Sequence, residues 1–229
     1  MRSILAILFT VSLRLSIVAQ NIPEGYLLQY QQSFNSGKAL EDFEMVNPDK
    51  WGVFKTGSNF YLQCAAADSI SEIPANVGVL INRIFGDFIL EADVLPLKDS
   101  SGVAEICLFL GYRNLSKFYF VQLANIADSA TNGIFLVKNG FKARLTGEEE
   151  KTASWNQAKW HKIRLVRDII KRTIIVYLDN MIVPQMLIKD YELIMGSVGF
   201  GTNAGSARFD NIKIWAPTVL TEDELKEME

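Results

Sequence analysis

The strongest constraint in this sequence is a spacing of two. Short runs of alternating apolar and polar residues recur, broken by Gly, Asn, Asp, Ser or Pro. They fall at 60–66 (FYLQCAA), 77–83 (VGVLINR), 87–97 (DFILEADVLPL), 103–112 (VAEICLFLGY) and 117–126 (KFYFVQLANI). Further runs follow at 133–139 (GIFLVKN), 160–168 (WHKIRLVRD), 173–180 (TIIVYLDN), 197–202 (SVGFGT) and 207–215 (ARFDNIKIW). In an extended strand successive side chains point to opposite faces. Many short alternating strands with turn residues between them predict an all-β, two-sheet antiparallel sandwich. Asn139-Gly140 is a hairpin signal, because both residues accept positive φ. Nowhere is a 3.6-residue apolar spacing sustained, so parallel βα architectures are excluded.

Composition narrows the function classes. Of 229 residues, 49% are hydrophobic and 21% charged, which is globular usage and not that of a disordered chain. The net charge of −3, with basic residues scattered among acids, predicts no nucleic-acid surface. One His and two distant Cys leave little from which to build a zinc site or a His-based triad.

Residues 1–19 read as a secretory signal: Arg2, an apolar run over 4–13, then the small residue Ala19. Arg14 interrupts the run, and about ten apolar residues cannot cross a hydrocarbon layer roughly 30 Å thick, so no membrane span is expected. Ala19 followed by Gln20 resembles export signals of Bacteroidetes-type bacteria. The expected location is secreted or periplasmic. There, Cys64 and Cys107 either pair as one disulfide or stay as two separately buried thiols. Residues 20–216 form one expected domain. The tail 217–229 is acidic, and Thr221 and Glu224 stand at capping-box spacing, so it is a short helix or a disordered end.

Three segments together resemble one superfamily. They are 33–64 (SFNSGKALEDFEMVNPDKWGVFKTGSNFYLQC), 160–168 with 173–184 (TIIVYLDNMIVP), and 196–217 (GSVGFGTNAGSARFDNIKIWAP). Their order resembles the concanavalin A-like jelly roll, over roughly residues 26–216. That group includes laminin-G-like modules, family-16 glycanases and 3-keto-disaccharide hydrolase domains. The resemblance implies one concave and one convex sheet, with glycans on the concave one. It also implies a structural calcium ion as the one cofactor to look for, with Asp210 as its ligand; none is required. Glu91-Ala92-Asp93 matches the first half of the family-16 motif, but Pro96 stands where its second Glu belongs. The Asn-Ser-Gly-Ile run of the 3-keto-disaccharide group is absent.

Alternation puts Phe88, Leu90, Ala92 and Val94 on one face of their strand, and Ile89, Glu91 and Asp93 on the other. In the next strand Ile106, Leu108 and Leu110 oppose Glu105, Cys107 and Phe109. A four-residue loop predicts a hairpin, which gathers Glu91, Asp93 and Glu105 on one side. Clustered carboxylates raise one another's pKa, as a general acid requires. The plainer reading is a solvated sheet face. Sugar recognition wants an aromatic platform with polar neighbours. Tyr112, Arg113, Gln122, Asn125, Asp128 and Asn132 are of those types, and Trp155 is the candidate exposed stacking residue. Phe118, Phe120 and Trp160 are expected in the core. His161 has no Asp or Ser partner apparent in the sequence and reads as a surface or edge residue.

The expected function is therefore a lectin-like module that binds an oligo- or polysaccharide on its concave sheet. The alternatives are a glycoside hydrolase using Glu91, Asp93 or Glu105, and a laminin-G-like module with a protein partner.

Overall fold

In the computed structural model the described residues are 22–36, 38–68, 71–98, 102–126, 130–147, 152–155 and 159–228. Residues 1–19, read above as a signal, and Asp128 lie outside them. In chain order the strands are β1 (Leu27–Gln32), β2 (Phe43–Met45), β3 (Trp51–Thr56), β4 (Asn59–Cys64) and β5 (Asn76–Leu80). There follow β6 (Phe88–Leu97), β7 (Glu105–Asn114), β8 (Lys117–Ala124), β9 (Gly133–Lys138) and β10 (Phe141–Arg144). The last are β11 (His161–Asp168), β12 (Thr173–Leu178), β13 (Met186–Lys189), β14 (Ser197–Thr202) and β15 (Ser206–Ala216), then helix α1 (Glu222–Met228).

They form two sheets in which every pairing is antiparallel. The eight-stranded sheet runs β13-β12-β11-β6-β15-β4-β3, with β1 also on β15. The seven-stranded sheet runs β10-β9-β8-β7-β14-β5-β2. The long β15 pairs with β6 on one side and with β4 and then β1 on the other. Its register slips after Asp210, where Asn211 takes a positive φ of 49°. An extra residue in a ladder there is a bulge, and it bends the strand.

The core lies between the sheets. Leu62, Leu90, Ala92 and Val94 meet Ile106, Leu108, Leu110, Val121 and Phe200. Phe200 stacks on Phe209 of the opposite sheet at 4.9 Å between centroids. The alternation expected for β6 and β7 is observed. Their connection is not. β6 lies in the eight-stranded sheet and β7 in the other, so the two strands are not a hairpin. Turn residues end a strand equally well before a hairpin or a crossover.

The outer face of the seven-stranded sheet is a second apolar layer. Val77, Val79, Cys107, Phe109, Tyr112, Phe118, Phe120, Phe135 and Val137 are buried there, with Val46 and Ile73 packed against them. A half-wet face was expected. The sequence of β8, apolar at consecutive positions, is that of a strand covered on both faces. Cys64 sits in the inter-sheet core and Cys107 in this outer layer, and both thiols are free. Burial pushes the Cys64 thiol up to about 12 and the Cys107 thiol well above its ordinary value.

The tail is helical as the capping-box spacing predicts. Thr221 Oγ1 accepts from Glu224 N at 3.2 Å, and Glu224 Oε2 accepts from Thr221 N at 2.7 Å. The helix is pinned by backbone bonds between Ile84 and Leu220, at 2.8 and 3.0 Å, and by the buried Leu225.

Candidate saccharide cleft

The site begins with a break in alternation. Strict period two would turn Tyr112 inward with Leu108 and Leu110. Opposite β14, however, Ser197 pairs with Tyr112 and Gly199 with Phe109. Leu110 and Gly111 therefore face the single residue Val198, which is a β-bulge. Gly111 takes φ 59°, a left-handed conformation that costs any residue with a Cβ. The bulge turns Tyr112 onto the outer face, where its ring meets Phe118 at 5.5 Å.

There Tyr112 lines two adjoining cavities. One, of about 370 Å³, is bounded by Glu44, Val79, Arg113, Asn114, Ser197 and, from the tail helix, Glu222 and Lys226. The other, of about 490 Å³, shares Glu44, Tyr112, Arg113 and Asn114 and adds Val46 and Leu115. Small-molecule sites commonly occupy roughly 300–1,000 Å³. Burial, with the Glu44 carboxylate second, pushes the Tyr112 phenol up to about 12, so its hydroxyl keeps its proton. No described residue hydrogen-bonds that hydroxyl, which can therefore donate to and accept from a ligand. Arg113 is oriented by an Nε–H bond to the Met195 carbonyl at 2.8 Å. Asn114 Oδ1 accepts from Ser116 N and Oγ at 2.9 and 2.7 Å, which leaves its Nδ2 to donate elsewhere.

Of the other expected saccharide residues, the described ones, Gln122, Asn125, Asn132 and Trp155, lie apart from this cleft. Gln122 is buried and donates to the Glu105 carboxylate, and its Oε1 has no partner. Asn125 is a clip: its Oδ1 accepts from Ala104 N at 2.8 Å and its Nδ2 donates to Gly102 O at 3.0 Å. Asn132 Oδ1 accepts from Ala124 N at 3.1 Å. Trp155 is not an exposed stacking residue. It packs on the core and edge-on to His161 at 5.2 Å, with its Nε1 buried. Trp160 is half-buried and packs edge-on to Tyr61 at 5.9 Å.

The three carboxylates do not come together, because β6 and β7 belong to different sheets. Glu91 is buried and ion-paired with Arg164, whose Nε is 2.7 Å away. Asp93 accepts from Lys162 Nζ and Asn211 Nδ2, both at 2.8 Å. Glu105 accepts from Ala204 N at 2.6 Å and Gly205 N at 3.1 Å, so it holds the turn between β14 and β15. None of the three lines either cavity. The carboxylates that do are Glu44 and Glu222.

Asp210 pairs with Asp93 across the strands. Its oxygens accept from Asn211 N at 2.7 Å and Asn59 Nδ2 at 3.1 Å. Calcium takes six to eight oxygens. Here N–H donors occupy Asp210, and the ammonium of Lys162 stands on the one neighbouring carboxylate. This donor set fits a hydrogen-bonded tie between strands and does not fit calcium as it stands. Among the described residues no group of three His, Cys, Asp or Glu is placed to hold a metal. His161 is also not a surface residue. It is buried, and its Nδ1 lies 2.8 Å from Asp179 Oδ2, so the pair joins the start of β11 to the end of β12.

These two sheets form a jelly-roll sandwich of concanavalin A-like fold, and solved structures share that fold. The fold is similar to that of the carbohydrate-binding module CBM66 from Bacillus subtilis, at TM-score 0.55 and 16% identity, over 75% of this chain and 93% of that one. It is similar to the VIP36 exoplasmic/lumenal domain in a Ca2+/Man3GlcNAc-bound form, at TM-score 0.52 and 12% identity, over 87% and 94%. A lectin UEA-II complexed with galactose gives TM-score 0.50 and 10% identity, over 83% and 99%. No protein-family model and no curated protein matches the sequence.

Proposed function

We propose that the protein is a lectin-like module that binds a saccharide in the Tyr112–Arg113 cleft, outside the cytoplasm. One observation carries the reading: the Gly111 bulge turns a tyrosine, its hydroxyl unbonded, into a cavity also lined by Arg113, Asn114 and Glu44. Such a hydroxyl and such polar neighbours can bond the hydroxyls of a sugar. The fold supports the reading, since CBM66 is a carbohydrate-binding module and UEA-II a lectin. The signal-like residues 1–19 support export, and among the described residues no helix is long and apolar enough to cross a membrane.

The hydrolase reading by way of Glu91, Asp93 and Glu105 has no geometric support, because each is engaged by neighbours away from the cavities. A panel of polysaccharides, read for retention and for reducing-sugar release together, separates the classes. Retention without release is the expected result. Release abolished by Glu44→Gln or Glu222→Gln would make the cleft a hydrolase site. Absence of both retention and release would remove the saccharide reading.

A further inference from the structure

One end of the sandwich bears large apolar side chains on its turns. Leu115 lies between β7 and β8, Phe141 follows the β9–β10 turn, and Ile170 lies between β11 and β12. Tyr191 and Ile194 lie after β13. Phe141 and Ile170 are 80% and 86% exposed, and the others half exposed or more. These turns are tied side by side. Gly140 N donates to Ser116 O at 3.2 Å, and Asp190 N to Arg172 O at 2.7 Å. Lys138 meets Glu192 at 2.6 Å, and the Arg172 guanidinium lies 4.6 Å from the centre of the Tyr191 ring. The tips therefore form one surface. It adjoins the cleft, whose second cavity includes Leu115.

Cations stand among the tips: Lys117, Lys138, Lys171 and Arg172. Of the local acids, Asp168 is ion-paired with Lys171, Glu192 with Lys138, Asp190 accepts the Tyr119 hydroxyl, and Asp87 accepts from Ile169 N at 2.6 Å. Lys117 and Arg172 have no carboxylate partner among the described residues. A chain of net charge −3 thus presents, at this apolar end, two cations that no described carboxylate pairs.

We propose that this end docks on an anionic phospholipid bilayer. Phe141 and Ile170 would reach the boundary between headgroups and acyl chains, and Lys117 and Arg172 would meet lipid phosphates. Protein interfaces tend to have a contiguous apolar centre depleted of lysine. Here the apolar groups stand on separate turns with lysines between them. A headgroup layer accepts such tips and cations together, without a matching shape. The proposal is independent of the saccharide reading.

Sedimentation with vesicles of equal parts phosphatidylglycerol and phosphatidylcholine tests it, beside vesicles of phosphatidylcholine alone. The wild type is expected to sediment with the anionic vesicles, and less so as salt rises. Phe141→Asp with Ile170→Asp should weaken binding about tenfold or more, and Arg172→Glu should weaken it on anionic vesicles alone. All variants should melt at the wild-type temperature, because these side chains are exposed. Failure of the folded wild type to sediment overturns the proposal, as does binding that both substitutions leave intact. A wild-type dimer in analytical ultracentrifugation, lost on Phe141→Asp with no vesicle binding, would assign the surface to a second copy of the chain.

Discussion

Gly111→Ala should destabilise the protein by about 0.5–2 kcal/mol. The left-handed conformation at φ 59° costs a residue with a Cβ roughly 1–2 kcal/mol. A Cβ there would also stand 3.2 Å from Leu193 Cβ, so one of the two must give by a few tenths of an ångström. Against this, alanine narrows the unfolded ensemble and returns about 0.4–1 kcal/mol. Gly140 is the internal control. Its φ is 79°, and an added Cβ would meet nothing within 4 Å. Gly140→Ala therefore carries the conformational cost alone, and the excess at Gly111 measures the contact with Leu193. Urea denaturation of both variants reads the difference, and addition of Leu193→Gly, which removes that Cβ, should shrink it. Equal costs at the two glycines would refute the crowding argument. A neutral Gly111→Ala would refute the bulge that aims Tyr112.

Other consequences concern the charges and thiols. Replacing Arg164 with Met removes an ion pair from the buried Glu91 and should cost about 3–5 kcal/mol in chemical denaturation, whereas the joint Glu91→Leu, Arg164→Met variant should cost much less. Burial first, and then the Asp93 charge, raise the Asp210 carboxyl over the lowering effect of its bonds to Asn211 and Asn59. A folded pKa above the unfolded value means that folding favours the proton, so this contribution fades as pH rises through the folded pKa. Asp210→Asn should therefore leave neutral-pH stability unchanged or higher, and calcium or EDTA should not move the Tm; a calcium-dependent Tm would contradict the tie. Asp179 is pushed up by burial and, more strongly, down by its bonds to His161 and Lys162. Its contribution is present above the unfolded carboxylate range and lost as pH falls through the lowered value, so Asp179→Asn should flatten the acid limb of a Tm-against-pH curve. Cys64 and Cys107 should resist a thiol reagent in the native protein and both react after unfolding without reductant.

Much of the sandwich is legible in the alternation, because each core-facing set in β6 and β7 follows the expected parity, whereas Phe118 and Phe120 of β8, expected in the core, are buried in the outer layer instead. The sheet to which a strand belongs is not legible. The connection from β6 to β7 carries the same turn residues that a hairpin would, and this is why Glu105 was grouped with Glu91 and Asp93. The outer aromatic layer left a signal in β8, whose consecutive apolar residues mean cover on both faces. The cleft was half legible. Tyr112 and Arg113 lie at a strand end where polar and aromatic residues cluster. Glu44, Ser197 and Glu222 reach the same cavity from distant segments that no local pattern connects to it. The parity switch at Gly111 is a one-residue event that a period of two cannot contain. Likewise the partner of His161, Asp179, is adjacent only once β11 and β12 pair.

The saccharide site is tested most directly by one glycan array probed in parallel with wild type and Tyr112→Phe. The substitution removes a single oxygen from the cleft and leaves the ring packed on Phe118. At least one glycan class should be held by the wild type and weakened about tenfold in the variant at unchanged Tm, since a lost hydroxyl contact is worth about 0.5–1.5 kcal/mol and more where a partner is left unpaired. Equal binding by both proteins would place the site elsewhere on the sandwich, and binding by neither would contradict the saccharide function itself.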